Sequence, residues 1–452
     1  MIFAKQAKLP NGWASNVRLS EVEGRIAKIE VDQSPQAGDV EVDTLLPALA
    51  NLHSHSFQRA MAGMTEYRMK GKDSFWTWRE LMYRFTHHLS PEQVEAIAAF
   101  VFLEMQEAGY ASVGEFHYLH HQPGGAPYDD LGELSARIAA AAAQTGIGLT
   151  HLPVLYTYGG AGQQALQAGQ ARFGNMVDRF NALVARAKVV VADLPADCRV
   201  GIAPHSLRAT SPVDLKAVLA AHEAGPVHIH IAEQPKEVAD INEWLGARPV
   251  EWLLANADVT TDWCLIHATH MTADETANMA RSGAVAGLCP VTEANLGDGP
   301  FNGPDYLNAG GAFGVGSDSN VLISLTEELR TLEYSQRLRD FARNVMVGEE
   351  GSVGDTLYSG AAKGGAQALG RNAGEIAVGN WADLVAVDSD APALCALRQD
   401  QLLDGLVFAA KDTVVTDVWS AGRHAVQSGR HVKRDEITAA YRSAMQSLTA
   451  AL

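Results

Sequence analysis

Short apolar runs alternate with longer helical segments along most of the chain, and this repeat constrains the fold more than any other feature. Eight of the runs have the length and composition of buried strands. They cover residues 45–53, 112–118, 148–155, 199–205, 226–232, 263–268, 284–289 and 313–318. Strands that alternate with helices form parallel sheets, and eight such repeats are typical of a closed barrel. We therefore predict an α/β fold with a (β/α)8 TIM-like barrel over residues 45–373.

Helix-start signals between the strands support this alternation. Ser90-Pro91-Glu92-Gln93 has a capping serine, a proline at the first helical position and a glutamine three residues after the serine. Ser324-Leu325-Thr326-Glu327 shows the same capping pattern. Both segments are predicted to begin helices.

The two ends of the chain have a different pattern. Residues 1–44 and 374–432 carry short alternating runs separated by glycine turns, which is typical of antiparallel strands. We predict that both ends join in one small β-sandwich domain beside the barrel. Residues 433–452 are predicted to form a C-terminal helix.

Charge and length exclude several classes of partner. The 452 residues carry 35 Lys and Arg against 53 Asp and Glu, a formal net charge of −18. Such an acidic chain is a poor binder of nucleic acid and of anionic membranes, although a local arginine cluster can still bind an acidic small molecule. No apolar stretch approaches the 18 residues that a membrane span needs.

Cysteine usage and the N-terminus predict a cytoplasmic protein. The four cysteines, Cys198, Cys264, Cys289 and Cys395, form no C-x-x-C pair and are expected to be reduced thiols. The first residues lack a long apolar core followed by a small-residue cleavage site, so no secretory signal is expected.

Polar residues that can bind a metal follow several of the predicted strands. His53 and His55 end the first strand and alternate, so their side chains share one face. The others are His230 in strand five, with Glu233 three residues later, His267 at the end of strand six and Asp318 at the end of strand eight. Chemistry in such barrels gathers at the carboxyl ends of the strands. A single histidine in this set could equally be a packed core residue, and Asp318 a helix cap. Their joint placement favours a metal centre.

Three neutral imidazoles and one carboxylate suit a zinc ion that keeps a position for water. A bound metal lowers the pKa of such a water, and a nearby carboxylate can then move protons. Glu233 is placed for this role. The alternative is a salt bridge from Glu233 to Lys236.

These positions resemble the amidohydrolase superfamily, in its mononuclear deaminase branch, because strand four offers no lysine that could bridge two metals. Longer motifs are similar to the N-formimino-L-glutamate deiminases of histidine degradation, over nearly the whole chain. The motifs are N-L-H-S-H-S-F-Q-R-A-M-A-G (51–63), D-S-F-W-T-W-R-E-L-M-Y-R (73–84), E-F-H-Y-L-H-H (115–121), A-P-H-S-L-R-A (203–209), H-I-A-E-Q (230–234), T-E-A-N-L-G-D-G (292–299) and G-S-D-S-N (316–320). Two departures are Ala48, where a glycine is usual, and Asn320, where a histidine is common.

The resemblance implies a role for each site residue. Glu233, His267 and Asp318 would be catalytic. The implied metal ligands are His53, His55, His230 and Asp318, around one zinc ion or, with the same donors, iron or manganese. The implied substrate-binding residues are Gln58, Arg79, Tyr118, His205 and Arg208. The family also suggests a homodimer.

The chemistry of the implied reaction fits these residue types. N-formimino-L-glutamate has an amidine-like carbon and two carboxylates, and a guanidinium can bind a carboxylate through two parallel hydrogen bonds. Without the resemblance, Arg79 could as well pair with neighbouring Glu80. Two other functions stay open: another mononuclear deaminase, acting on a purine, pyrimidine or adenosyl compound, and a non-catalytic barrel scaffold.

Overall fold

The computed structural model describes residues 1–67 and 74–451. Residue 73 of the motif 73–84 lies outside these ranges, as does Leu452 of the predicted C-terminal helix. The strands are β1 (Ile2–Leu9), β2 (Gly12–Val22), β3 (Arg25–Glu30), β4 (Val40–Pro47), β5 (Leu49–Ser54), β6 (Tyr110–His117), β7 (Gly148–Leu155), β8 (Arg199–Val200), β9 (Ala203–Pro204), β10 (Val227–Ile231), β11 (Trp263–His267), β12 (Val285–Leu288), β13 (Ala312–Val315), β14 (Leu384–Val387), β15 (Val415–Ser420), β16 (Arg423–Gln427) and β17 (Arg430–His431).

Helices separate most of the central strands. They are α1 (Phe75–His88), α2 (Pro91–Glu107), α3 (Glu133–Thr145), α4 (Val177–Val191), α5 (Pro212–Ala221), α6 (Pro235–Leu245), α7 (Pro249–Asn256), α8 (Ala273–Ser282), α9 (Pro290–Leu296), α10 (Gly303–Asn308), α11 (Leu325–Asp340), α12 (Val353–Ala368), α13 (Asp400–Phe408) and α14 (Arg434–Ala451). Within the described ranges, no helix has both the length and the apolar character needed to cross a membrane.

The central strands form two parallel sheets. One has the order β5-β6-β7-β8, with β9 also paired to β7, and the other has the order β10-β11-β12-β13. Isolated parallel bridges join residues at the edges of the two sheets, at Ser54–Asp318, Ile202–Val227 and Ser206–His230. Every residue of β5, β6 and β7 is buried, because parallel strands covered on both faces need apolar side chains on both. The prediction of an α/β fold with parallel strands is confirmed.

Two predicted strands are interrupted in the structure. The predicted strand 45–53 is divided between β4, which ends at Pro47, and β5, which begins at Leu49. The predicted strand 199–205 is divided into β8 and β9. Gly201 lies at the second break, where a Cβ atom would sit 2.5 Å from the Pro226 carbonyl oxygen. Close backbone approach therefore requires glycine there.

Strands from both chain ends pair in one mixed sheet, with the order β17-β16-β15-β14-β4-β1-β2-β3. β4 is its central member, parallel to β1 and antiparallel to β14. The prediction that the two ends associate agrees with this pairing, whereas the two facing layers of a sandwich stay a prediction.

Both predicted helix starts have a serine cap, but only one of them has the reciprocal hydrogen bond of a capping box. At α2, the Ser90 Oγ accepts from the Gln93 N–H at 3.3 Å and the Gln93 Oε1 accepts from the Ser90 N–H at 2.9 Å. At α11, Ser324 accepts from the Glu327 N–H at 3.1 Å, but the Glu327 carboxylate pairs with Arg330 instead of returning to the cap. The full capping box is therefore confirmed only for α2.

Candidate metal centre and active site

Three histidines from the predicted strand ends meet at one point. His53 lies in β5, His55 follows the end of that strand, and His230 is the penultimate residue of β10. The Nε2 atoms of His53 and His230 lie 3.1 Å apart, and all three residues are buried. One donor nitrogen from each lies within 4.8 Å of the others. The alternation of His53 and His55 therefore does bring both side chains to the same face.

Hydrogen bonds fix the tautomers of two of these rings. The His55 Nδ1–H donates to the Phe116 carbonyl oxygen at 2.8 Å, and the His230 Nδ1–H donates to the His205 carbonyl oxygen at 3.2 Å. Their Nε2 lone pairs are thereby directed to the common point. Burial lowers the pKa of all three imidazoles, that of His53 to about 3, so the rings are neutral.

Asp318 lies beside the same nitrogens. Its Oδ1 is 3.3 Å from the His55 Nε2 and 3.6 Å from the His53 Nε2. Backbone bonds hold it there, since its N–H donates to the His53 carbonyl oxygen and its carbonyl accepts from the His55 N–H. Burial alone would raise the pKa of its carboxyl, but the adjoining histidines outweigh burial and the pKa falls below its usual value.

This donor set fits a divalent metal ion. Two of the buried imidazoles direct an Nε2 lone pair to the common point beside a carboxylate, and the buried His53 Nδ1 has no hydrogen-bond partner among the described residues. Such an arrangement is stable when a cation binds the lone pairs, and three nitrogens with one oxygen suit a zinc-type site. Carbonyl partners on the outer nitrogens are also typical of metal-bound histidines.

His267 faces this point from the end of β11. Its Nε2 is 3.9 Å from both the Glu233 Oε1 and the Asp318 Oδ2, and its Nδ1–H donates to the Glu293 Oε1 at 3.2 Å. Burial lowers the pKa of this imidazole, but the carboxylates around it outweigh burial and raise the pKa to about 10.

Glu233 pairs with an arginine and not with Lys236. The Arg208 Nη2 donates to the Glu233 Oε2 at 3.2 Å, whereas the Lys236 ammonium lies 2.6 Å from Asp240. The Glu233 N–H donates to the Glu237 Oε2 at 3.0 Å, which fixes the backbone at the start of α6. Burial raises the pKa of the Glu233 carboxyl. The alternative of a Glu233–Lys236 salt bridge is therefore wrong.

A cavity that is open to solvent lies over these groups. The three catalytic candidates line it, and so do all five predicted substrate-binding residues. These five are Gln58, Arg79, Tyr118, His205 and Arg208. The Gln58 amide donates to the Tyr118 hydroxyl at 2.6 Å, and its buried Oε1 has no hydrogen-bond partner within residues 1–67 and 74–451. Arg79 lies over the rings of Trp76 and Tyr83, at 4.8 and 5.6 Å from their centroids. The structure brings the predicted residues together, and their individual roles stay predictions.

Sequence reasoning missed several residues of this site. Glu293 orients His267, and Glu237 anchors Glu233; the first belongs to the T-E-A-N-L-G-D-G motif, which was given no role. Aromatic side chains form much of the remaining cavity wall, namely Phe75, Trp78, Tyr83, Tyr156 and Phe173. The F-W-T-W-R block was the available signal for the first two.

Comparisons with known sequences agree with this geometry. The family model described as "Amidohydrolase family" matches residues 44–425, and that described as "Formimidoylglutamate deiminase HutF, N-terminal domain" matches residues 1–42. The chain is 50% identical over 443 residues to the formimidoylglutamate deiminase of Pseudomonas aeruginosa, covering 97% of each chain. It is 26% identical to a 5-methylthioadenosine/S-adenosylhomocysteine deaminase of Bacillus cereus, covering 90% of this chain and 89% of that one.

Solved structures give the same result. An amidohydrolase from Brucella melitensis superposes with a TM-score of 0.95 at 49% identity, over 99% of both chains. A zinc-bound adenosine deaminase from Xanthomonas campestris superposes with a TM-score of 0.80 at 21% identity, over 99% of this chain and 98% of that one, which shows a shared fold. The chain therefore belongs to the amidohydrolase family and, within it, to the formimidoylglutamate deiminases.

Proposed function

We propose that the protein hydrolyses N-formimino-L-glutamate to N-formyl-L-glutamate and ammonia, with one divalent metal ion, in histidine degradation. The observation that carries this proposal is the 50% identity to a formimidoylglutamate deiminase over 97% of both chains. The cavity supports it independently, because two arginines, Arg79 and Arg208, line the same space as the metal donors. A substrate with two carboxylates needs such cations.

His53, His55, His230 and Asp318 would hold the metal, and zinc suits three nitrogens and one oxygen, although iron and manganese share such donors. The bound ion would lower the pKa of a water molecule and so supply a hydroxide for attack on the formimino carbon at neutral pH. Asp318 would accept the first proton of this water, since its carboxylate lies beside the nitrogens that would hold the ion. The departing nitrogen needs two protons to leave as ammonia: Asp318 would return the first, and Glu233 would carry the second from the hydroxyl group that the water leaves on the carbon.

The remaining residues hold the reacting groups. The His267 Nε2 faces both Glu233 and Asp318 at 3.9 Å, so it can donate a hydrogen bond to the developing oxyanion. The two carboxylates of the substrate and the carbon atoms between them are bound by five other cavity residues, Gln58, Tyr118, His205, Arg79 and Arg208. The Gln58 Oε1, which accepts no hydrogen bond from the part of the chain that the structure describes, can accept one from a substrate N–H.

Product analysis tests the reaction. Purified protein loaded with zinc should release ammonia from N-formimino-L-glutamate, with N-formyl-L-glutamate as the second product. Formamide and glutamate as products would contradict the proposal. Ammonia from an adenosyl, purine or pyrimidine compound in the same panel, and none from the formimino compound, would favour the other deaminase function instead.

Chelation tests the metal. Removal of the ion should abolish ammonia release, and zinc should restore it. Protein that again contains zinc but turns over no compound of the panel would favour the non-catalytic scaffold.

The finer architecture belongs to the same proposal. The bridges at Ser54–Asp318 and Ile202–Val227 support a closed (β/α)8 barrel over residues 45–373. A small β-sandwich domain (1–44 and 374–432) and a C-terminal helix (433–452) complete it. We also propose a cytoplasmic homodimer, which sedimentation analysis would test, and a small-molecule dicarboxylate substrate with neither nucleic acid nor membrane as partner.

A further inference from the structure

Cys289 lies next to the candidate active site and has no part in the proposed reaction. It follows β12 directly and is fully buried. One donor atom each from His267, Cys289 and Asp318 lies within 4.8 Å of the other two. Among the described residues this is a second compact group of possible metal donors, separate from the three histidines above.

A single carboxylate oxygen binds both the ring of His267 and the backbone of Cys289. The Glu293 Oε1 accepts from the His267 Nδ1–H at 3.2 Å and from the Cys289 backbone N–H at 2.9 Å. The His267 Nε2 lies on the opposite side of the ring and faces Asp318, and a cation that binds there displaces the proton from this nitrogen. A carboxylate on the outer nitrogen is the usual support of a histidine that binds a metal.

Asp318 can serve both positions at once, because its two oxygens face different donors. Its Oδ1 is 3.3 Å from the His55 Nε2, on the side of the first metal position, whereas its Oδ2 is 3.9 Å from the His267 Nε2. A bridging carboxylate of this kind is how paired metal ions, about 3.5–4 Å apart, share a ligand.

The surroundings favour additional positive charge. The Glu233 Oε1 lies 3.9 Å from the His267 Nε2, and Glu237, Glu293 and Asp298 are buried nearby. Arg208 pairs with two of these four carboxylates, those of Glu233 and Glu237. A thiolate among the donors selects soft, thiophilic ions over magnesium or calcium.

We propose that His267, Cys289 and Asp318 form a second position for a thiophilic divalent cation, such as zinc, cobalt or cadmium, which shares Asp318 with the first position. Binding there occupies the His267 Nε2 and an Asp318 oxygen, so an excess of such ions inhibits the enzyme. Only this inhibition rests on the proposed function, whereas the binding itself does not.

Cobalt titration of the metal-free protein tests the site directly. The first position offers three nitrogens and one oxygen but no sulfur, so a thiolate-to-cobalt charge-transfer absorption reports the second position alone. The wild-type protein should bind two equivalents, with the absorption band developing as the second equivalent binds. Cys289→Ala should bind one equivalent and show no band.

Cys264→Ala is the matched control, since Cys264 and Cys289 are both fully buried and belong to the same apolar cluster. It should bind two equivalents and keep the band. One equivalent bound by Cys289→Ala also shows that this variant is folded around the first position.

Two results would overturn the proposal: saturation of the wild-type protein at one equivalent without a band, or a band that persists in Cys289→Ala. In activity assays, Cys289→Ala should need at least about tenfold more free zinc than the wild type for the same inhibition. Equal inhibition of both proteins would contradict the inhibitory role. A protein that turns over no formimino compound but shows the band would refute the proposed function and leave the second position intact.

Discussion

Glu233 lies between Arg208 and the turn that precedes α6, on the cavity side of the metal donors. We expect Glu233→Gln to lower kcat by roughly 10²- to 10⁴-fold, because the amide cannot pass a proton to the departing nitrogen. The metal content should not change, since Glu233 belongs to neither donor group. Steady-state kinetics and elemental analysis of the same preparation check both statements. Loss of metal would mean that Glu233 is a ligand.

Arg208 is 7% exposed and offers one of two guanidinium groups on the cavity wall. Arg208→Met should raise KM about 10- to 100-fold, since a charge-assisted hydrogen bond contributes about 1.5–3 kcal/mol. Some loss of kcat should accompany it, because Glu233 then lacks its partner. Arg186→Met is the control, because Arg186 pairs with Asp130 at the surface and should leave KM unchanged. Unchanged kinetics in Arg208→Met would remove this residue from the site.

Local spacing was enough to predict that His53 and His55 share a face, but not which residues support the predicted metal donors. His53 and His55 share a face because side chains alternate along a strand, and this can be read from two positions. The Glu293–His267 bond joins residues 26 apart in the sequence, on different elements. Neither spacing nor periodicity contains the angle at which those elements meet, so Glu293 could be quoted in a motif but not given a role.

At the scale of the element, the start of α2 tests how much the Ser90 cap stabilises the protein. Ser90→Ala should lower the free energy of unfolding by about 1 kcal/mol, because the Gln93 N–H loses its acceptor. Activity should be unchanged, since Ser90 lies away from the cavity. Thermal unfolding and kcat measure the two effects. Ser34→Ala, in an exposed loop, should change neither, and equal unfolding temperatures for Ser90→Ala and the wild type would contradict the capping role.

Strands were predicted well where they are buried on both faces, and less well where backbone geometry interrupts them. The run 148–155 matches β7 residue for residue, and all eight of its residues are buried. The run 199–205 is divided at Gly201, which lies against the Pro226 carbonyl. Pro226 directly precedes β10, 25 residues further along the chain, and the local sequence contains no sign of this contact.

For the whole molecule, one buried arginine connects the mixed sheet to the parallel sheets. The Arg371 Nε lies 2.6 Å from an Asp383 oxygen, and its Nη2 lies 2.8 Å from the Asp197 Oδ2. Arg423 of β16 binds the same Asp197 at 2.7 Å. Burial would raise the pKa of Asp197, but Arg423 and Arg371 outweigh burial and lower it below 3.8.

Because the pKa of Asp197 is lowered in the folded protein, the free energy of unfolding depends on pH. A carboxyl whose pKa is lower in the folded protein than in the unfolded chain stabilises the folded state at pH values above its unfolded-state pKa. That contribution is lost as the pH falls through the folded-state pKa. Asp197→Asn should therefore destabilise the protein by roughly 1.5–3 kcal/mol at pH 7, since the buried Arg371 keeps Asp383 but loses its charge-assisted bond to Asp197. The difference from the wild type should shrink below about pH 3.8. Denaturant unfolding at several pH values measures it, and a constant difference would contradict the assignment.

The bridge between Ser54 and Asp318 also sets an order of events during synthesis. The three predicted histidine ligands are synthesised before Asp318, so the emerging chain offers an ion an incomplete donor set until residue 318 has left the ribosome. The backbone of Asp318 then pairs with that of His53 and His55. We expect stable metal uptake to wait for this step, and chains released before residue 318 should remain unloaded.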